Sequence, residues 1–115
     1  PTETRFYVAR RDGDRVGCGG IERDGEVALL RSVVVTRDHR GDGLGTALCD
    51  RLVDRAARAG VESVYLLTTD AADFFASVGF TTVPRGSVPD AIRETTQFAD
   101  LCPDSATVMR RATDR

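Results

Sequence analysis

The sequence predicts a mixed α/β (α+β) fold: an antiparallel opening runs through a crossover helix into further strands and helices packed on one sheet. Three observations carry this. Asp12-Gly13 and Asp24-Gly25 divide the stretch from Arg5 to Thr36 into three strand-like runs, and Asp-Gly supplies the positive φ that tight hairpins require. Leu44, Ala47, Leu48, Leu52, Ala56 and Ala59 form one apolar stripe at helical spacing, and Gly60 stops it. The short, β-branched and aromatic run "VESVYLL" after it reads as a buried strand.

Taken in order, the strands are expected at about Arg5–Arg10, Arg15–Glu22 and Glu26–Thr36. Gly17, Gly19 and Gly20 inside the second strand are costly unless another chain or a ligand packs close to the backbone. The helix Leu44–Ala59 is a crossover, so the strands on either side of it should be parallel neighbours. "AADFFASVGF" makes a short helix ending at Gly79, followed by a strand stub at Thr81–Val83. A helix at about Pro89–Phe98 comes next, with Ser87 as its cap and Pro89 in its first turn. A strand at Ala106–Arg110 closes the series. No repeat, linker or low-complexity segment interrupts it, and 1–115 reads as a single domain with room for one core.

Composition excludes several functions. The formal net charge is -2, with 41% hydrophobic and 30% charged residues, so there is no basic footprint for nucleic acid. All 16 basic residues are arginine. Without lysine there is neither a Walker phosphate loop nor Schiff-base chemistry. Cys18, Cys49 and Cys102 lie far apart with no Cys-x-x-Cys pair, which reads as reduced thiols in the cytoplasm. His39 is the single histidine, so no metal is expected. No stretch approaches the roughly 20 apolar residues of a membrane span, no signal peptide is visible, and no membrane partner is expected.

"SVVVTRDHRGDGLGTAL" (Ser32 to Leu48) carries the chemistry. A valine strand hands over to Gly41, Gly43 and Gly45 and then to a helix. Unpaired N–H groups and the positive end of the helix dipole converge there, and glycine lets an anion approach the backbone. By itself this reads as a phosphate site of unspecified kind. A dinucleotide fold would want an acid at the end of the next strand, and that strand ends in "LLTT".

The whole string resembles the acetyl-CoA signature of the GNAT N-acetyltransferase superfamily: Val35, four residues, then Arg40, Gly43 and Gly45 in register. A second landmark of that family, aromatic-aromatic-x-x-x-Gly-Phe, appears as Phe74, Phe75, Gly79 and Phe80. "GGIE", "ALLRSVVV", "YLLTTDAADFF" and the tail "VPRGSVPDAIRETTQFADLCPDSATVM" look like the small arsenic-resistance N-acetyltransferases. "LRS" with "FF…GF" is also similar to amino-acid acetyltransferases of the N-acetylglutamate synthase kind.

The resemblance implies the GNAT fold, a mixed and mostly antiparallel sheet whose two central parallel strands splay apart to admit pantetheine as a surrogate strand. It implies acetyl-CoA as the acetyl donor, held by the backbones of Val33, Val34 and Val35 and by the turn Arg40, Gly41, Asp42, Gly43, Leu44, Gly45 and Thr46, with Phe74 beside it. Val33 N–H would polarise the thioester oxygen. The acceptor would be a small amine bearing a carboxylate, an organoarsenical glutamate mimic among the candidates, with Arg31 and Arg93 as its carboxylate forks. Arg85 is a weaker candidate for that role. For each arginine the alternative is a plain surface residue.

The pattern departs from the family in three places. The tyrosine that often protonates the departing thiolate is Phe75, and the position that often carries a glutamate base is Leu29. Glu22 is the substitute base, acting through water; the alternative is a solvated strand-end carboxylate. No opening strand and helices precede Thr4, so the chain is expected to be truncated, or naturally short and completed by a partner such as a second subunit. His39 is expected to be exposed beside the turn, and Cys102 to be a packing residue. The rival function is a CoA-binding module without catalysis.

Overall fold

The computed structural model describes residues 3–35, 43–93 and 106–113. Among these are six strands, β1 (Glu3–Arg11), β2 (Asp14–Asp24), β3 (Val27–Val35), β4 (Ser63–Thr68), β5 (Thr81–Thr82) and β6 (Thr107–Ala112). The helices are α1 (Leu44–Arg58), α2 (Ala72–Ser77) and α3 (Asp90–Arg93), with a 3-10 turn at Arg85–Ser87. The strands form one sheet in the order β1-β2-β3-β4-β6-β5. β1–β2 and β2–β3 are antiparallel hairpins, and β3 pairs with β4 in parallel across α1. These are the predicted hairpins and crossover. Among the described residues no helix is long and apolar enough to cross a membrane.

α1 covers one face of the sheet. Its buried residues Leu48, Cys49, Leu52, Val53 and Ala56 pack with Ile21, Ala28, Leu30, Val64 and Leu66. On the other face a smaller cluster gathers Leu29, Tyr65, Val88, Ile92 and Val108. The glycines of β2 are explained within the chain itself. A Cβ at Gly17 would sit 2.8 Å from Val34 O, one at Gly19 2.6 Å from Leu52 Cδ1, and one at Gly20 2.7 Å from the Phe6 ring. The close neighbours are β3, α1 and Phe6.

Two features of β3 decide where the site lies. First, the β2–β3 register passes from Gly20↔Arg31 to Cys18↔Val34, two residues on β2 against three on β3. This is a β-bulge at Ser32–Val33, and it reverses the side-chain alternation. Before it Ala28 and Leu30 face α1; after it Val33 packs on that core, and Val35 lies against Gly45 of α1. Second, the β3–β4 register ends at Leu29↔Tyr65, whereas β4 stays paired with β6 along its whole length. β3 therefore leaves with β2 while β4 leaves with β6, and the sheet opens between them.

The Phe-Phe-x-x-x-Gly-Phe landmark has a plain structural basis. Phe80 N–H donates to Phe75 O (3.0 Å) and Gly79 N–H to Ala76 O (3.2 Å), with Gly79 at φ 96°. That closes α2 as a Schellman motif, and the accompanying apolar contact is Phe75 against Phe80, ring centroids 5.8 Å apart.

Ser87 does not cap α3. Its hydroxyl donates to Pro84 O at 2.7 Å inside the 3-10 turn, a local bond that competes with capping. The Pro89 carbonyl instead accepts from Ile92 and Arg93. The remainder of the predicted helix to Phe98 lies outside the described residues, as does Thr36.

Candidate active site

The opening between β3 and β4 is a cleft of about 670 Å³, within the range of small-molecule sites. One wall is β3, with Leu30, Arg31, Val33 and Val35. The other is β4 and the turn into α2, with Leu66, Leu67, Thr68 and Asp70. Leu30 and Leu66 belong to the face under α1, whereas Arg31 and Leu67 lie on the opposite face, so the cleft passes through the sheet.

Gly43, Gly45 and Thr46 at the start of α1 form its mouth, facing Phe74 and Phe75 of α2. Gly43 holds φ 85° at the N-cap, a conformation that favours glycine, and no side chain among the described residues caps the helix. The first turn carries no acidic residue while the last carries Arg55 and Arg58. Among the described residues, the N-terminal N–H groups and the positive dipole end thus face the cleft with no carboxylate in the first turn. A Cβ on Gly45 would come within 3.1 Å of Phe74 Cζ and 3.6 Å of Val35 Cγ2. A side chain there would press on the Phe74 ring where α1, α2 and β3 meet.

Val33 has no register partner in β2, being part of the bulge, and none in β4, beyond the end of their pairing. It therefore stands on β3 between the last residue paired with β4 and the resumption of pairing with β2 at Val34. Val34 pairs with Cys18 and turns its half-exposed side chain to the face away from α1. Leu44 begins α1, with its side chain toward a neighbouring groove rather than the cleft.

Arg31 reaches the cleft from the face opposite α1. Its Nη1 donates to Glu22 Oε1 at 3.0 Å, and its guanidinium stands 6.0 Å from the Phe6 ring centroid. Glu22 is only 5% exposed, so it is an ion-paired buried carboxylate rather than a solvated strand end. Arg31 Nε is buried and has no hydrogen-bond partner among the described residues. An unsatisfied buried donor of a cation beside a cleft suits an anionic ligand group.

Arg93 is not part of this group: it donates to Val88 O and Arg85 O, both at 3.3 Å, and ties α3 to the preceding turn. Arg85 likewise donates to Ala106 O at 2.9 Å. Arg40, Gly41, Asp42, His39 and Cys102 lie outside the described residues. Burial, with Asp50 adding to it, pushes the Cys49 thiol up to about 11, although Arg111 opposes this. Cys49 is a core residue with no nucleophilic role.

Sequence reasoning missed Thr68 and Asp70. Thr68 Oγ1 accepts from Ala71 N–H at 3.0 Å, fixing the turn from β4 into α2, and Asp70 is an exposed carboxylate on the cleft wall. Their only signal was the strand-end string "LLTTDAA".

Comparison with known proteins agrees with this geometry. The family described as acetyltransferase (GNAT) domain matches residues 2–82. The amino-acid acetyltransferase of Enterobacter sp. (strain 638) is 30% identical over 95 residues, which are 78% of this chain and 21% of that protein. The chain thus spans about a fifth of the length of the curated relatives it matches. Among solved structures, N-acetylglutamate synthase from Neisseria gonorrhoeae with coenzyme A and N-acetyl-glutamate superposes with a TM-score of 0.82 at 20% identity, covering 96% of this chain and 26% of that one. Rv2747 from Mycobacterium tuberculosis, in a complex that includes CoA, gives 0.77 at 28% identity over 93% of this chain and 75% of that one.

Proposed function

The chain belongs to the GNAT acetyltransferase family, and from that premise we propose that it transfers an acetyl group from acetyl-CoA to the amine of a small amino-acid-like acceptor. The observation that carries this is the end of β3–β4 pairing at Leu29, beyond which the two strands part around the cleft. Pantetheine fits there as the missing strand, along the backbone of Val33 to Val35. The α1 N-terminal turn at Gly43, Gly45 and Thr46, with Arg40, Gly41 and Asp42 before it, would hold the pyrophosphate. Phe74 supplies an apolar surface beside that turn.

The acceptor amine attacks the thioester carbon directly, with no covalent enzyme intermediate. Val33 N–H donates to the thioester oxygen as negative charge develops on it, and holding both substrates in one cleft supplies much of the rate. Arg31 pairs with the acceptor carboxylate through its planar fork, and Glu22 orients Arg31. Glu22 also takes the amine proton through a water, which an amine of ordinary pKa requires only of a modest base. No side chain at Phe75 donates a proton, so the CoA thiolate is protonated by solvent.

Glutamate-like amines, organoarsenical mimics among them, are the acceptor class. Arg93 keeps a place in this reading only if acceptor binding releases it from its two carbonyls. A second copy covering the exposed Phe6, Val8 and Val34, with exposures of 62%, 49% and 50%, completes the acceptor side of the site.

Phe75 in place of a proton donor favours a second reading, a CoA-binding module without turnover. Thiol release from acetyl-CoA, measured across glutamate-like amines including arsenical and phosphinic mimics, separates the two. Release with at least one carboxylate-bearing amine supports the transferase. CoA binding with release from none supports the module.

A further inference from the structure

A second concavity lies on the far side of the domain from the Arg31 face, where β1 and β2 overhang α1. It is an open groove of about 520 Å³ lined by Arg5, Arg23, Arg51, Arg55 and Arg58, with Tyr7 and Ile21 at its base. Among the described lining residues the only carboxylate is Asp54, and Arg58 Nε takes it at 3.1 Å. A smaller groove of about 320 Å³ shares Tyr7, Arg51 and Arg55 with it and adds Arg10. Six of the chain's 16 arginines therefore converge on one strip of a protein whose formal net charge is -2.

The arrangement is not the default of an arginine-rich surface. Arg51, Arg55 and Arg58 stand at i, i+4 and i+7, so like charges line a single face of α1, a spacing that destabilises an isolated helix. That face is turned toward Arg5, Arg23 and the Tyr7 ring on β1 and β2, and Asp54 is the one carboxylate among the described residues that line the groove. Arg55 is held over the Tyr7 ring, 5.0 Å from its centroid, and Arg23 donates to Ala59 O at 2.7 Å, so two of the forks are anchored. A multiply charged anion relieves the repulsion and uses the planar donors in pairs.

We propose that this groove is a second binding site, separate from the β3–β4 cleft, for a small polyphosphate-bearing anion. The row from Arg51 to Arg58 rises about 10 Å along the helix axis, which suits several linked phosphates better than one. The volume of this open groove is within the range of small-molecule sites, and the planar guanidinium forks match phosphate oxygens bidentately. The apolar base at Ile21, Ala56 and Ala59 leaves room for an uncharged portion of the ligand.

The test is calorimetric titration of the intact protein with inorganic tripolyphosphate, at low ionic strength and with saturating CoA present, so that the α1 N-terminal turn is occupied. One-to-one binding is expected. The pair Arg51→Gln and Arg55→Gln, both at exposed helix positions, should weaken it at least tenfold while leaving CoA affinity and the far-ultraviolet spectrum unchanged. Arg5→Gln on the opposite wall is the second variant and should weaken binding several-fold. Any of four results overturns the proposal: no binding of tripolyphosphate, binding indifferent to all these substitutions, binding that CoA abolishes, or tighter binding of an oligo-glutamate peptide than of tripolyphosphate.

Discussion

Replacing Gly17 by alanine tests whether β2 and β3 meet as closely as the cleft wall requires. The new Cβ would lie 2.8 Å from Val34 O, where ordinary contact begins near 3.4 Å, and Leu48 Cδ2 stands at 3.4 Å. Val34 O is backbone and Leu48 is buried, so neither gives way easily. Overpacking of this kind costs about 1–3 kcal/mol. The lower entropy of the unfolded alanine chain returns about 0.4–1 kcal/mol; with a 2.8 Å approach to backbone placing the cost in the upper half of its range, a net loss of about 1–2 kcal/mol remains. For a domain of this size that lowers Tm by roughly 5–10 °C. Circular dichroism melts of wild type and variant measure it, with Gly86→Ala, whose Cβ meets nothing within 4 Å, as a control within about 0.5 kcal/mol of wild type. A Gly17→Ala Tm equal to or above that of wild type would refute the close approach.

Gly43→Glu should abolish CoA binding by placing a carboxylate at the α1 N-terminus, whereas Gly43→Ala should cost about 1–3 kcal/mol of stability from its positive φ and keep measurable CoA affinity; calorimetry and melts separate these effects. Arg31→Gln should raise KM for a carboxylate-bearing acceptor at least tenfold with a smaller change in kcat, and Arg31→Lys should restore little of it, since the bidentate fork is lost; equal KM values would remove Arg31 from acceptor binding. Cys49 should resist alkylation at pH 8 in the native protein and react after denaturation. Because its pKa is raised from 9.0 in the unfolded chain to about 11 in the fold, the stability linked to its protonation is complete below pH 9 and is lost as pH rises through 11. Denaturant melts of wild type against Cys49→Ala should therefore diverge in pH dependence across that window.

What the sequence revealed was local. The Asp-Gly turns, the helical stripe after Leu44 and the Phe75…Gly79-Phe80 closure each depend on residues within a few positions of one another, and each stands where periodicity and turn chemistry put it. The bulge at Ser32–Val33 depends on how β2 and β3 pair, and three consecutive valines contain no mark of where the alternation reverses. The Glu22–Arg31 ion pair is a cross-strand event of the same kind. From the sequence Glu22 reads equally well as a solvated carboxylate, and it is buried because Arg31 comes to meet it. Gly17, Gly19 and Gly20 signalled a close approach, and only the packed structure shows that α1, β3 and Phe6 make it. Asp70 carried no pattern, since an exposed acid after a strand is commonplace. Ser87 failed as a cap because Pro84 O competes for its hydroxyl.

The central geometric claim is that the backbone of β3 beyond Leu29 is a strand edge kept open for the cofactor. Amide hydrogen exchange of the intact protein with and without CoA tests it most directly. The predicted result is slowed exchange at Val33–Val35 and at Gly43–Thr46, with no change in β1. Unchanged exchange in β3, or protection by CoA confined to other strands, would contradict it.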